Sequence, residues 1–179
     1  LTMQRNISEA RESLLETSKK IESMLEKNEE EINRIAEYIA EKDDIYFIGR
    51  NRGRELAKEA SLKLKELSYI HSEAFPGGEF KHGTLALVEE GVPVIGFLKE
   101  EGREDMLSNI TEAKSRGADI VGVGEDEING FEYFLEIPED ENSEILEVIP
   151  FQLLSYETSV IRGNQPDRPR NLAKSVTVK

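Results

Sequence analysis

Apolar residues along the chain follow two rhythms, and the change from one to the other predicts the elements. Over residues 4–41 they recur at helical spacing. Ile7, Leu14 and Ile21 repeat every seven, with Ala10, Met24 and Leu25 beside them, and Ile32, Ile35, Ala36 and Ile39 follow. This predicts two helices, the first capped by Ser8, with Glu9, Arg11, Glu16, Lys19, Lys20 and Glu22 on a solvated face. The seven-residue repeat admits a coiled coil, but Thr17 interrupts it. Helices packed on their own domain, or across a dimer, fit the pattern better.

Asp43-Asp44 ends this rhythm, and Ile45-Tyr46-Phe47-Ile48 is a continuous apolar run of the kind a strand buried on both faces shows. Gly49 follows, then a helix over Arg54–Leu67. Four more strands are predicted at Tyr69–Ala74, Pro93–Leu98, Asp119–Val123 and Phe131–Ile137. A helix over Glu104–Arg116 carries a stripe of Met106, Ile110 and Ala113 and stops at Gly117. The last helix, Ser143–Arg162, is expected to turn Ile145, Val148, Ile149, Leu153, Tyr156 and Val160 inward, to kink or break at Pro150, and to end at Gly163. Strands alternating with helices predict an α/β fold: about five parallel strands with helices on both faces, in three layers. The expected division is one domain over 1–163, with the N-terminal helices in 1–41, and a C-terminal tail over 164–179.

Bulk composition narrows the function classes. The 179 residues are 37% hydrophobic and 34% charged, enough for one domain with a real core and a very polar surface. A net charge of −14 argues against nucleic acid or an anionic membrane as partner, since both need basic patches. The chain has no cysteine, so it offers no disulfide, zinc thiolate or cysteine nucleophile. It has no apolar run of membrane-spanning length, and the cytoplasm is the default compartment. It opens on Leu1 rather than Met, which fits either processing or a cut from a longer polypeptide.

Titratable groups gather between Glu59 and Gly83. On the Arg54–Leu67 helix, Ala57, Ala60, Leu64 and Leu67 form the buried stripe, and Glu59, Lys63 and Glu66 a separate row at its edge. That row is either an ordinary set of i,i+4 and i,i+3 ion pairs or the wall of a cleft. His71 alternates with Ile70 and Ser72 on a strand, as a packed or hydrogen-bonded core histidine would. His82 sits in a glycine-rich loop where it can project into a cleft and move protons near neutral pH. Two histidines without carboxylates at ligand spacing predict no metal site. Arg50, Arg52 and Arg54, at a helix N-terminus, form either an anion site or a basic surface loop. Lys174, among Leu172, Ala173, Ser175 and Val176, is either a mobile tail lysine or an amine nucleophile.

The segment EASLKLKELSYIHSEAFPGGEFKHGTLAL, followed at the C-terminus by PRNLAKSVTV, resembles the second sugar-isomerase (SIS) domain of the glutamine–fructose-6-phosphate aminotransferase family. The resemblance implies an SIS fold, a sugar phosphate substrate, a homodimer, no cofactor, and conversion of fructose 6-phosphate and ammonia to glucosamine 6-phosphate. It implies that Glu66 moves a proton between C1 and C2 of the sugar, with Lys63 in the same cluster. It implies that His82 opens the sugar ring from across the dimer, that Lys174 forms an imine with the ketose carbonyl, and that Ala173 and Val176 line the sugar site and ammonia passage. Asn51, Ala60-Ser61 and Thr84 depart from the family pattern, in loops and helix rather than at these residues. The loop Lys99–Asp105 is acidic and lacks the serines that hold phosphate in SIS domains. The expectation is therefore the C-terminal piece of a larger enzyme, inactive alone. A stand-alone single-domain sugar-phosphate isomerase, or a sugar-phosphate-binding sensor domain, is the alternative.

Overall fold

No glycine or proline occurs between Thr2 and Ala40, and those residues form one helix, α1, of 39 residues. Two helices were expected here, and the apolar repeat does lapse around Lys27–Glu31. The lapse changes what the helix touches, not whether it continues, since Lys, Asn and Glu leave the backbone bonds intact. Ser8 thus lies inside the helix and caps nothing. The structure, a computed structural model, describes the backbone of residues 2–172 and the side chains of residues 7–172.

Five strands follow as predicted, with small shifts at their ends: β1 (Asp44–Gly49), β2 (His71–Pro76), β3 (Pro93–Leu98), β4 (Asp119–Gly124) and β5 (Tyr133–Glu136). They form one sheet in the order β2-β1-β3-β4-β5, with every pair parallel. Parallel strands need crossovers, and these are α2 (Arg52–Ser68), a short α3 (Gly77–Phe80) with a 3-10 turn at Thr84–Leu87, and α4 (Arg103–Lys114). α5 (Ser143–Ile161) closes the order. β1 and β3 are buried almost throughout, as their unbroken apolar runs require.

The sheet separates two cores. On one face α1, α2 and α5 pack Met24, Ile32, Ile35, Leu64, Phe151 and Leu154 against Phe47, Ile95 and Phe97. On the other, α3, the 3-10 turn and α4 pack Phe80, Leu85, Met106 and Ile110 against Tyr46, Ile48 and Val94.

The inward face of α5 differs from the expected one. Ile145, Tyr156 and Val160 are 42%, 47% and 47% exposed, and the buried positions are Leu146, Pro150, Phe151, Leu154, Ser155 and Thr158. The helix is apolar nearly all round, so periodicity could not phase it. On the buried face the Thr158 hydroxyl donates to the Leu154 carbonyl at 2.7 Å, whereas the Ser159 hydroxyl has no hydrogen-bond partner within the protein. Pro150 interrupts nothing, and the helix runs through it.

β5 is an edge strand, and side chains of α1 take the place of a sixth strand. The Asn28 amide donates to the Glu136 carbonyl at 2.9 Å and accepts from the Glu136 N–H at 3.0 Å, while the Phe134 N–H donates to Glu31 at 3.1 Å. This satisfies the outer backbone groups of the edge and blocks further strand pairing. Asn28, 3% exposed, is the residue at which the apolar repeat lapses. Asn28→Leu leaves two buried β5 groups unpaired and is expected to lower unfolding free energy by about 2–4 kcal/mol, read by chemical denaturation. A loss under half a kcal/mol would mean that water replaces the amide.

Candidate functional site

Helix α2 carries the charged row, and its buried stripe sets where the row points. Ala57, Ala60 and Leu64 are at most 1% exposed against the sheet, while Leu67, expected in the stripe, is half-buried. Ser61 and Ser72 bond reciprocally: the Ser61 hydroxyl donates to the Ser72 carbonyl at 3.0 Å and the Ser72 hydroxyl to the Ser61 carbonyl at 2.9 Å. Both are buried, so the pair ties α2 to β2 at a fixed rotation.

With that rotation fixed, Glu59, Lys63 and Glu66 lie along the rim. The Lys63 ammonium stands 2.9 Å from the Glu66 carboxylate and 3.7 Å from Glu59. Lys63 and Glu66 side chains are each 30% exposed, open enough to meet a ligand and dry enough to feel each other. The hydrogen bond that Lys63 donates to Glu66 pushes the Lys63 pKa up against a smaller opposing effect of burial, so Lys63 is a cation throughout the physiological range. Glu66 is also in the last turn of α2, where carbonyl ends present partial negative charge, and Lys63 offsets both. The arrangement is a carboxylate held in place by an ammonium, which can take a proton from carbon and return it nearby.

His82 lies on the opposite face of the sheet. Phe80, 1% exposed, packs on Tyr46 and Phe75 with ring centroids 5.6 and 5.8 Å apart, and Leu85 is buried beyond it. Between these two plugs the turn carries His82 out to solvent, its N–H bonded to the Glu79 carbonyl at 3.0 Å. Gly83, at φ 150°, makes that turn possible. Among the described residues no bond, ion pair or cavity joins His82 to Lys63 or Glu66. Lys174, Ala173 and Val176 lie outside the described residues. His71 is not in a core: it is exposed at the start of β2 and bonds Asp44 at 2.5 Å. It stands where the strand emerges from the sheet, which alternation alone cannot reveal.

Around the crevice outside β1 and β3, where the strand order reverses and α/β sheets commonly bind ligands, the basic side chains are paired with the protein's own carboxylates. Gly49 lets the chain turn there, since a Cβ would lie 2.2 Å from the Gly53 carbonyl. Each arginine expected as an anion ligand faces a carboxylate: Arg50 meets Asp105, Arg52 meets Glu144 at 2.6 Å, and Arg54 meets Glu55 at 2.7 Å. The adjoining cleft of about 310 Å³ is lined by Arg52 and Lys99 but also by Glu100, Glu101, Glu125, Glu139, Asp140 and Glu144. Lys99 donates to Ser143 and to Glu147, both at 2.8 Å. Glu147 is 4% exposed, its second oxygen has no partner, and burial pushes its pKa up while Lys99 opposes. The Lys99–Glu147 pair went unforeseen, although a carboxylate one turn before Phe151, amid apolar residues of the helix, was a signal for it.

The C-terminal segment returns to α2. Past Gly163, the Asn164 amide donates to the Ser68 carbonyl at 3.2 Å, and the Arg170 N–H donates to the Tyr69 hydroxyl at 2.8 Å. This attachment, too, lacks a periodic signal in the sequence.

The sequence profile of the SIS domain matches residues 38–162. The glutamine–fructose-6-phosphate aminotransferase (isomerizing) of Clostridium perfringens is 45% identical over 96% of this chain, and that of Thermococcus kodakarensis 46% identical over 85%. The chain spans 30% and 26% of their lengths. The solved C-terminal domain of glucosamine-fructose-6-phosphate aminotransferase from Francisella tularensis superposes with a TM-score of 0.79 at 34% identity, covering 92% of this chain and 49% of that one.

Removing Lys99 strands a buried carboxylate. Lys99→Met is expected to cost about 2 kcal/mol or more of unfolding free energy at pH 7, and Lys99→Met/Glu147→Leu to recover most of it. A Glu whose folded pKa is raised contributes stability below its unfolded value and loses it as pH rises through the folded one. The Lys99→Met deficit should therefore shrink as pH falls from 7 towards 4.5. Denaturation across that range checks it, and a deficit that grows on acidification would contradict the assignment.

Proposed function

The chain belongs to the SIS domain family, and we propose that it is the isomerase part of a glutamine–fructose-6-phosphate aminotransferase, acting in the conversion of fructose 6-phosphate to glucosamine 6-phosphate. The single observation that carries this reading is the Glu66–Lys63 pair on the rim of α2, within a chain 45% identical to such an enzyme over 96% of its length.

In this reading the Lys174 amine attacks the C2 carbonyl of the open sugar, and water leaves as the imine forms. Ammonia adds at the same carbon and releases the lysine, so nitrogen stays on C2. Glu66 takes a proton from C1, the electrons pass to the C2 nitrogen, which gains a proton, and Glu66 returns its proton to C2 as the C1 hydroxyl loses its own and becomes the aldehyde. The net change is fructose 6-phosphate plus ammonia to glucosamine 6-phosphate plus water. Lys63 holds the Glu66 carboxylate in place. His82 moves the proton that opens the ring, and because it faces away from Glu66 it serves the site of a second copy in a homodimer. Ala173 and Val176 line the sugar. The internally paired arginines and acidic cleft leave no ready phosphate cradle in the switch-point crevice, which favours this reading over a stand-alone isomerase.

The test places this whole chain in the position of the matching segment of the Clostridium perfringens enzyme. The chimera is expected to form glucosamine 6-phosphate from glutamine and fructose 6-phosphate. Glu66→Gln should lower kcat by about 10²- to 10⁴-fold with little change in KM. Lys174→Ala should abolish a borohydride-trapped sugar adduct at that position. A folded chimera without activity, or a Glu66→Gln variant with full activity, would overturn the reading.

A further inference from the structure

We infer that Tyr69 is a positioning residue which, with Arg170, anchors the C-terminal segment beside Glu66 and so sets where Lys174 can act. The inference rests on the role proposed above for Lys174.

Three contacts bring the segment back from α5. Arg162 donates to the Ala40 carbonyl at 2.8 Å, and Asn164 bonds the Ser68 carbonyl at the end of α2. Six residues further on, Arg170 meets Tyr69 twice. Its backbone N–H donates to the tyrosine hydroxyl at 2.8 Å, and its guanidinium lies 4.0 Å from the ring centroid. One contact fixes the path of the backbone and the other adds a cation over an aromatic face.

Tyr69 is an unusual residue for its place. It ends α2 at φ 61°, in the left-handed region where glycine is the common choice, and its N–H still bonds the Lys65 carbonyl at 3.2 Å. Glycine would serve this turn with less strain but would offer neither ring nor hydroxyl. Ending the helix is thus an incomplete account of a tyrosine here, whereas holding the tail explains both groups.

The spacing supplies the consequence. Glu66 lies three residues before Tyr69, about 4.5 Å along the helix axis. Lys174 lies four residues past Arg170, so from a fixed Arg170 its backbone reaches at most about 14 Å. Released back to Asn164, the same lysine ranges over about 35 Å, a volume about fifteenfold larger. The lysine's effective concentration at the sugar falls in that proportion, while the sugar's own contacts are unchanged.

Two measurements test this. In the chain itself, trypsin cleavage after Arg170 should be about tenfold faster in Tyr69→Leu than in wild type at unchanged melting temperature, with Tyr69→Phe intermediate. In the chimera described above, Tyr69→Leu should lower kcat and the rate of borohydride-trapped adduct at Lys174 together by about tenfold, with KM for fructose 6-phosphate within about twofold. Tyr69→Phe should restore most of both. If Tyr69→Leu does not fold, Tyr69→Phe carries both measurements and Arg170→Gln, which removes the trypsin site, carries kcat and trapping, each with a smaller loss in the same direction. Wild-type cleavage in the Tyr69 variants, or wild-type kcat and trapping in any of these variants, while Lys174→Ala is inactive would overturn the anchor alone. Full activity of Lys174→Ala would instead overturn the role proposed for the lysine.

Discussion

The close seat of α2 on the sheet governs the rest of the molecule. Gly53, Ala57, Ala60 and Ser61 give the helix a buried stripe of small residues, and the reciprocal Ser61–Ser72 bonds lock its rotation. A helix that can neither roll nor lift holds side chains 100° off its buried stripe at a fixed angle to the rim. Glu59, Lys63 and Glu66 owe their alignment to this, and so does the end of the helix, where Ser68 and Tyr69 receive the returning C-terminal segment. The larger Leu56 and Leu64 fill the space that the small residues leave between helix and sheet.

Electrostatics divides the surface in a way that net charge alone does not. The chain carries −14, yet its basic residues at the carboxyl ends of β1 and β3 are each matched to a carboxylate. The crevice where an α/β sheet ordinarily meets its ligand stays open but thereby has its basic side chains occupied within the protein. On the flank of α2, Lys63 serves Glu59 and Glu66 together, one cation against two partly exposed carboxylates.

Much of the fold was legible because burial on both faces leaves an unmistakable mark. β1 and β3 are continuous apolar runs, and the strand–helix alternation implied the parallel sheet before any coordinate. The row on α2 was legible because a stripe of alanines and leucines phases the helix. The same reasoning failed on α5, where apolar residues on nearly every side leave no phase to read. It failed on α1, where a buried Asn28 bonded to an edge strand looked like the end of a helix. Tyr69–Arg170 and Lys99–Glu147 join residues 101 and 48 positions apart, and no local period can signal such pairs.

The division of the proposed site between two faces has a physical consequence of its own. Glu66 and Lys63 belong to the α2 layer, His82 to the α3 layer, and the sheet with both its cores stands between. No rotamer change carries an imidazole through a packed sheet, and the role proposed for His82 in the site of a second copy accounts for this separation, the histidine being presented by a turn held on each side. Phe80 and Leu85 do that holding: both are buried in the core formed with Tyr46, Ile48, Met106 and Ile110. The exposure of His82 and the burial of its flanking anchors are two sides of one constraint: the turn is fixed at both ends, so its histidine stands outward and stays out of the core.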